Sequence, residues 1–154
     1  MSFFSDPYFP NSLYDPFFKT SETDWKYNCI AHAYGNDTNW FWPISNNYPS
    51  WFWPPHIPKA LHIDSFIKLF EDIGYERCID GSLEIGFQKV AIFEKDNIPT
   101  HAAKQLLGGL WSSKLGQNKD AAHTIKCIEG SDYGYVSVYM KRAIYKDLPV
   151  IKVV

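Results

Sequence analysis

Cys29 directly follows Asn28 in the stretch Tyr27-Asn28-Cys29-Ile30-Ala31-His32-Ala33-Tyr34-Gly35. Asparagine is a good N-cap, so this order puts the thiol in the first turn of a helix, where the positive end of the dipole favours a thiolate. The chemistry open to such a group is nucleophilic attack on a carbonyl, and that chemistry requires a base. Among five histidines, His101 follows Pro99-Thr100 at the start of an expected strand. Ala102 and Ala103 after it are small enough for a helix to approach the sheet closely. His56, His62 and His123 read as surface or interfacial residues. Cys29 and His32, three positions apart, could also join His101 and His123 in a zinc-type ligand set.

These groups need elements to hold them. Gly35 closes the cysteine helix after barely two turns, so burial of Ile30, Ala33 and Tyr34 must stabilise it. The apolar spacing of Phe66, Ile67, Phe70 and Ile73 predicts an amphipathic helix from Asp64 to Ile73, capped by Asp64 or Ser65 and stopped at Gly74. Tyr75 to Ile79 reads as a short strand, Gly86 to Glu94 as a central one because Val90-Ala91-Ile92-Phe93 is apolar on both faces, and Tyr133 to Arg142 as a third. Thr100 to Leu107 and Leu110 to Leu115 flank Gly108-Gly109, a two-residue hairpin turn. That turn would set Leu107 opposite Leu110, Gln105 opposite Ser112, Ala103 opposite Lys114 and His101 opposite Gly116, with Ser112 and Lys114 on the face of His101. Lys119 to Glu129 is compatible with a short helix. The outcome is an α+β domain with helices on one side of a mainly antiparallel sheet.

Around this core the chain is unusually aromatic, at 18% against 21% charged, so ring contacts must dominate its packing. Residues 1–24, with Asp6-Pro7, Phe9-Pro10, Asp15-Pro16 and five phenylalanines, form an extended arm docked on the body; 25–142 are the core and 143–154 a tail with a possible edge strand, all within one domain. Trp40-Phe41-Trp42-Pro43 and Trp51-Phe52-Trp53-Pro54 are an imperfect doublet in a long loop, a cover for core or a surface that stacks on sugars or grips a peptide. A net charge of -2 with mixed signs argues against nucleic acid or a membrane surface as partner. Three separated cysteines, no long apolar run and no signal-peptide pattern fit a reducing, cytoplasmic setting. Cys78 and Cys127 read as small core hydrophobes.

The order of parts, a cysteine opening a helix and a histidine opening a later strand, resembles the papain-like superfamily that includes bacterial cell-wall amidases and peptidases. The resemblance implies Cys29 as nucleophile, His101 as base, and an orienting residue on or after the next strand. Ser112, Gln117, Asp120 and His123 are within reach, and Asp120 is favoured because a carboxylate best stabilises an imidazolium. No glutamine precedes Cys29, so its backbone N–H and the Asn28 amide would form the oxyanion hole. Asn28, Trp111, Ser112, Lys114 and His123 would line the substrate site, Lys114 meeting a carboxylate. Asn28-Cys29-Ile30-Ala31, Lys89-Val90-Ala91-Ile92-Phe93, Thr100-His101-Ala102-Ala103-Lys104-Gln105 and Trp111-Ser112-Ser113-Lys114-Leu115-Gly116 also resemble an uncharacterised bacterial domain family. The expected function is hydrolysis of an amide or peptide bond, without a cofactor or metal. The alternative is a non-catalytic protein- or glycan-binding module using the tryptophan-rich loop. Each residue also has a plain structural reading: Cys29 as a buried small hydrophobe, Asp120 as a solvated cap, Lys114 as a solvated strand lysine.

Overall fold

The computed structural model describes residues 2–3, 9, 11, 17–20, 24, 26–115 and 120–144. Most of the arm, Gln117 and the tail after residue 144 lie outside them. Their order is β1 (Ser2–Phe3), β2 (Phe17–Lys19), α1 (Cys29–Tyr34), β3 (Trp40–Phe41), β4 (Trp51–Phe52), α2 (Ile63–Glu71), β5 (Glu76–Cys78), β6 (Phe87–Lys95), β7 (Ile98–Gln105), β8 (Trp111–Lys114), β9 (Asp120–His123), α3 (Ile125–Ile128) and β10 (Tyr135–Ala143). Eight strands make one sheet in the order β1-β2-β9-β8-β7-β6-β10-β5, and every pairing in it is antiparallel. The fold class is therefore α+β. Among the described residues no helix is long and apolar enough to cross a membrane.

Alternation along the strands sorts side chains onto two faces. One face carries Val90, Ile92, Ala102 and Met140, and it packs with Ile30 and Ala33 of α1 and Phe66, Leu69 and Phe70 of α2. The other carries Ala91, Phe93, Ala103, Trp111 and Ala121, and it packs with Phe9 of the arm and with Cys127 and Ile128 of α3. Helices thus lie on both faces rather than on one, because residues 120–129, within the stretch expected as a single short helix, hold β9 and the single turn of α3 capped by Thr124. Cys127 is core, whereas Cys78 sits half-buried on the edge strand β5.

The hairpin between β7 and β8 departs from expectation by one residue. Leu106 N–H donates to Leu110 O at 2.7 Å and Gly109 N–H to Leu106 O at 3.0 Å, with Gly109 at φ 93°. The loop therefore holds three residues, Leu107 to Gly109, and Lys104 pairs with Ser112 and Gln105 with Trp111. A one-residue shift moves every side chain of a strand to the other face. Ser112 and Lys114 consequently lie on the α1 face, opposite to His101.

The tryptophan doublet is a parallel pair, Trp40 beside Trp51 and Phe41 beside Phe52. Phe41 and Trp53 enter the core at 2% and 3% exposure, while Trp40, Trp42 and Trp51 stay half-buried. The doublet is both core cover and surface.

Candidate functional site

α1 forms where expected and for the expected reason. Asn28 Oδ1 accepts from Ala31 N–H at 3.1 Å, and Gly35 ends the helix at φ 103°. The same Asn28 oxygen accepts from Phe41 N–H at 3.1 Å, and its amide donates to Phe41 O at 2.6 Å. The side chain is buried and committed to joining α1 with β3, so its amide is not a free donor for an oxyanion hole, although Asn28 lines the cleft beside Cys29.

Cys29 rests over β7 on the α1 face, its sulfur 4.0 Å from Thr100 O. Burial pushes the thiol up to about 11, outweighing the lowering by the Ala102, Ile30 and Cys29 backbone N–H groups and by Lys114. His101 points away from it. The His101 ring stacks on Tyr133 at 4.0 Å, meets the edge of Phe93 at 5.4 Å, and places Nε2 2.8 Å from Ser113 Oγ. The expected pair of Cys29 and His101 does not form, because successive residues of β7 face opposite sides of the sheet and Ala102, not His101, lies under the helix.

On the far face His101 belongs to a buried chain. His123 Nδ1 is 2.8 Å from Thr124 O, which can only accept, so Nδ1 carries the proton. His123 Nε2, 2.7 Å from Ser113 Oγ, then accepts from the hydroxyl, and the hydroxyl oxygen accepts from His101 Nε2–H. Both histidines are fully buried, and burial is the first cause that holds them in the neutral form, His123 down to about 4 and His101 well below its ordinary value. Trp111 lies on this face too, against Tyr139 at 5.9 Å. His123 and Trp111 therefore support the core rather than line a site with Cys29. Because Cys29 and His32 are on one face and His101 and His123 on the other, the zinc-type set does not assemble. Among the described residues no group of three or more His, Cys, Asp and Glu is placed to hold a metal.

The α1 face gathers a different set. His32, one turn beyond Cys29, places Nε2 2.8 Å from Ser112 Oγ and Nδ1 3.9 Å from Asp120 Oδ2. Asp120 Oδ2 also accepts from the Tyr27 hydroxyl at 2.9 Å, and Tyr27 stacks on His32 with ring centroids 6.1 Å apart. Burial and then the Asp120 carboxylate raise the Tyr27 phenol, which stays protonated and donates. Lys114 is fully buried beside them, with Nζ bonded to Asp24 O and 5.0 Å from the Tyr27 ring. Burial lowers its ammonium while Asp120 and Asp24 oppose that. His32 is held down to about 4, first by burial and then by the Lys104 and Lys114 charges, with Asp120 acting the other way. A polar cleft of about 300 Å³ opens beside the set, lined by Tyr27, His32, Asn36, Asp37, Lys104 and Asp120.

Of the residues expected from sequence, the structure brings Ser112, Lys114 and Asp120 together with Cys29 on one face and places His101, Trp111 and His123 on the other. His32 is the functional candidate that sequence reasoning passed over except as a metal ligand. Its signal was present in the spacing from Cys29, which puts both on the sheet-facing side of one short helix.

Residues 18–141 match the family described as Domain of unknown function (DUF7689). No curated protein and no solved structure matches the chain.

Proposed function

Since the chain belongs to this domain family, whose description carries no activity, the functional reading must come from the site, and we propose that the domain hydrolyses a carboxylic ester or amide at Ser112. The observation that carries this reading is the order Ser112 Oγ, His32 Nε2, His32 Nδ1, Asp120 Oδ2, at 2.8 Å and 3.9 Å. It is the order of nucleophile, base and orienting carboxylate in acyl transfer, which is recognised by geometry and roles and not by position in the chain.

With Nδ1–H directed at the carboxylate, the Nε2 lone pair accepts the Ser112 hydroxyl proton as Oγ attacks the carbonyl carbon. The proton passes from His32 to the leaving alcohol or amine as the acyl bond breaks. Water, deprotonated by the same Nε2, then attacks the acyl-serine, and the proton returns to Ser112 Oγ. The 3.9 Å separation is longer than a hydrogen bond and shortens when a positive charge develops on His32 beside Asp120; catalytic contacts are commonly loose before substrate arrives. Lys114, two residues from Ser112 on the same strand face, supplies the nearby positive charge for the oxyanion. This reading takes Ser112 in place of the thiol expected from sequence, since His101 lies on the opposite face of the sheet from Cys29 and burial favours the protonated thiol.

The experiment is turnover of p-nitrophenyl acetate and an aminoacyl p-nitroanilide by wild type, Ser112→Ala, His32→Gln and Cys29→Ala. Loss of turnover by roughly a hundredfold or more in the first two, with Cys29→Ala near wild type, supports the reading. Equal turnover in wild type and Ser112→Ala overturns it.

A further inference from the structure

The tryptophan doublet takes no part in that chemistry, yet it builds the wall of a second cleft. Trp40, Trp42, Ile44 and Asn46 face Cys29, Thr100 and Tyr133 across about 340 Å³. This lies within the roughly 300–1,000 Å³ usual for small-molecule sites. We infer that this cleft binds an uncharged saccharide, one or two pyranose rings of a longer glycan, through ring stacking on Trp40 and Trp42. The inference concerns a site separate from Ser112 and stands without it.

Rigid aromatic planes are the first support. Trp40 stacks on Tyr48 with centroids 3.9 Å apart and planes 5° from parallel. Trp42 meets Phe66 edge-on at 5.6 Å, and its carbonyl accepts from Trp51 Nε1 at 2.8 Å. Indoles fixed before a ligand arrives lose little side-chain entropy on binding. The apolar face of a pyranose ring is a fitting partner for such planes, and its hydroxyl edge needs polar neighbours.

The second support is the character of the remaining lining. Ser45, Asn46 and Thr100 are neutral hydrogen-bonding residues, and Asn46 Oδ1 accepts from Tyr48 N–H at 2.9 Å while its amide keeps its donors. Among the described residues no acidic or basic side chain lines the cleft, and burial keeps the Cys29 thiol neutral. A charged ligand would find no counterion here. An extended peptide would find few backbone groups to pair with, because the facing ones of the doublet are used internally: Trp40 N–H donates to Ser50 O at 2.9 Å and Trp42 N–H to Phe52 O at 3.3 Å. Half-exposed Ile44 completes an apolar rim without closing it.

The test is titration of the full chain with cellohexaose, chitohexaose and maltohexaose, followed by tryptophan fluorescence and calorimetry. Ser112→Ala serves as a control that leaves this cleft intact. The expected result is binding of at least one hexasaccharide with a Kd of about 1 mM or tighter. Trp42→Ala should weaken it roughly tenfold, Trp42→Phe less, and Ser112→Ala not at all. Since Trp42 packs on Phe66, Ile44→Ser and Asn46→Ala at the rim give a second reading that leaves the core alone, each weakening binding severalfold. No binding of any hexasaccharide by folded wild type up to about 10 mM overturns the inference. So does binding indifferent to all four cleft variants, or tighter binding of a neutral hexapeptide at the same residues.

Discussion

Ser112 and Ser113 are neighbours in β8 and serve opposite faces of the sheet: the first is bonded by His32 of α1, the second by His101 and His123. Two serine–histidine systems are thus separated by the thickness of one strand. The first has its histidine and carboxylate, His32 and Asp120, on an open cleft with Ser112 buried behind them; the other is sealed, with His101, Ser113 and His123 fully buried. The functional reading rests on that difference.

If Cys29 is the protonated thiol that its burial implies, it must be a slow nucleophile. Iodoacetamide followed by peptide mass mapping should modify half-buried Cys78 well before Cys29. Cys29 labelling faster than Cys78 at neutral pH would restore the thiol as a reactive centre.

Asn28 caps the helix that carries His32 through one hydrogen bond and joins α1 to β3 through two more. Loss of an N-cap alone costs about 1 kcal/mol, and two further buried bonds add about 1 kcal/mol each. Asn28→Ala should lower unfolding free energy by about 2–3 kcal/mol in urea melts, and Asn28→Asp by less. An Asn28→Ala melt superimposing on wild type would contradict the described packing.

The buried histidines make stability depend on acid. His123 titrates near 4 in the folded chain and near 6.5 unfolded, so between these values the unfolded chain binds the extra proton. Stability contributed by keeping it neutral is complete above about pH 6.5, falls as pH drops toward 4, and is flat below that. The loss is on the order of 3 kcal/mol. Urea melts at pH 7, 5.5 and 4 should show the decline, and His123→Gln should reduce it. Equal stability at pH 7 and 4 would refute the account of this face.

The His32 base gives a separate pH signature. It must be neutral to accept the Ser112 proton, so turnover should be level near neutrality and fall as pH drops through about 4. Any shortening of the contact with Asp120 in the substrate complex moves that limb upward. Asp120→Asn should shift the limb to lower pH, whereas a merely structural role would reduce stability without moving it.

The helix over Asp64 to Ile73 and the central strand with Val90 to Phe93 were legible from apolar spacing, and the short helix at Cys29 from its Asn28 cap and Gly35 stop, all of which act locally; the cap of α2 is His62, whose Nδ1 accepts from Asp64 N–H, and not Asp64 or Ser65. The face of His101 was not. Which of two alternating residues of β7 lies under α1 is set by helix docking, and which residues of β8 share the face of His101 depends on whether the Gly108-Gly109 turn closes over two residues or three, both of which the glycines permit. The hydrogen bond from Leu106 N–H to Leu110 O closes the turn over three residues, in step with the pairing of Lys104 with Ser112 and Gln105 with Trp111. Ser112, Lys114 and Asp120, grouped with one another from sequence, do alternate on one face of paired strands, and the histidine on that face is His32, not His101. The half-core role of the tryptophan doublet was equally hidden: Phe41 enters the core while its register partner Phe52 stays exposed, Trp53 is buried just past β4, and nothing in the two tetrapeptides names which ring does so.

The most direct measurement is covalent labelling of the folded chain with a fluorophosphonate at neutral pH and mapping of the adduct by tandem mass spectrometry. An activated serine reacts with this probe, and an ordinary hydroxyl does not. The account predicts an adduct on Ser112 that disappears in His32→Gln and persists in Cys29→Ala and His101→Gln. Absence of any adduct on Ser112, or an adduct there that survives His32→Gln, would contradict it.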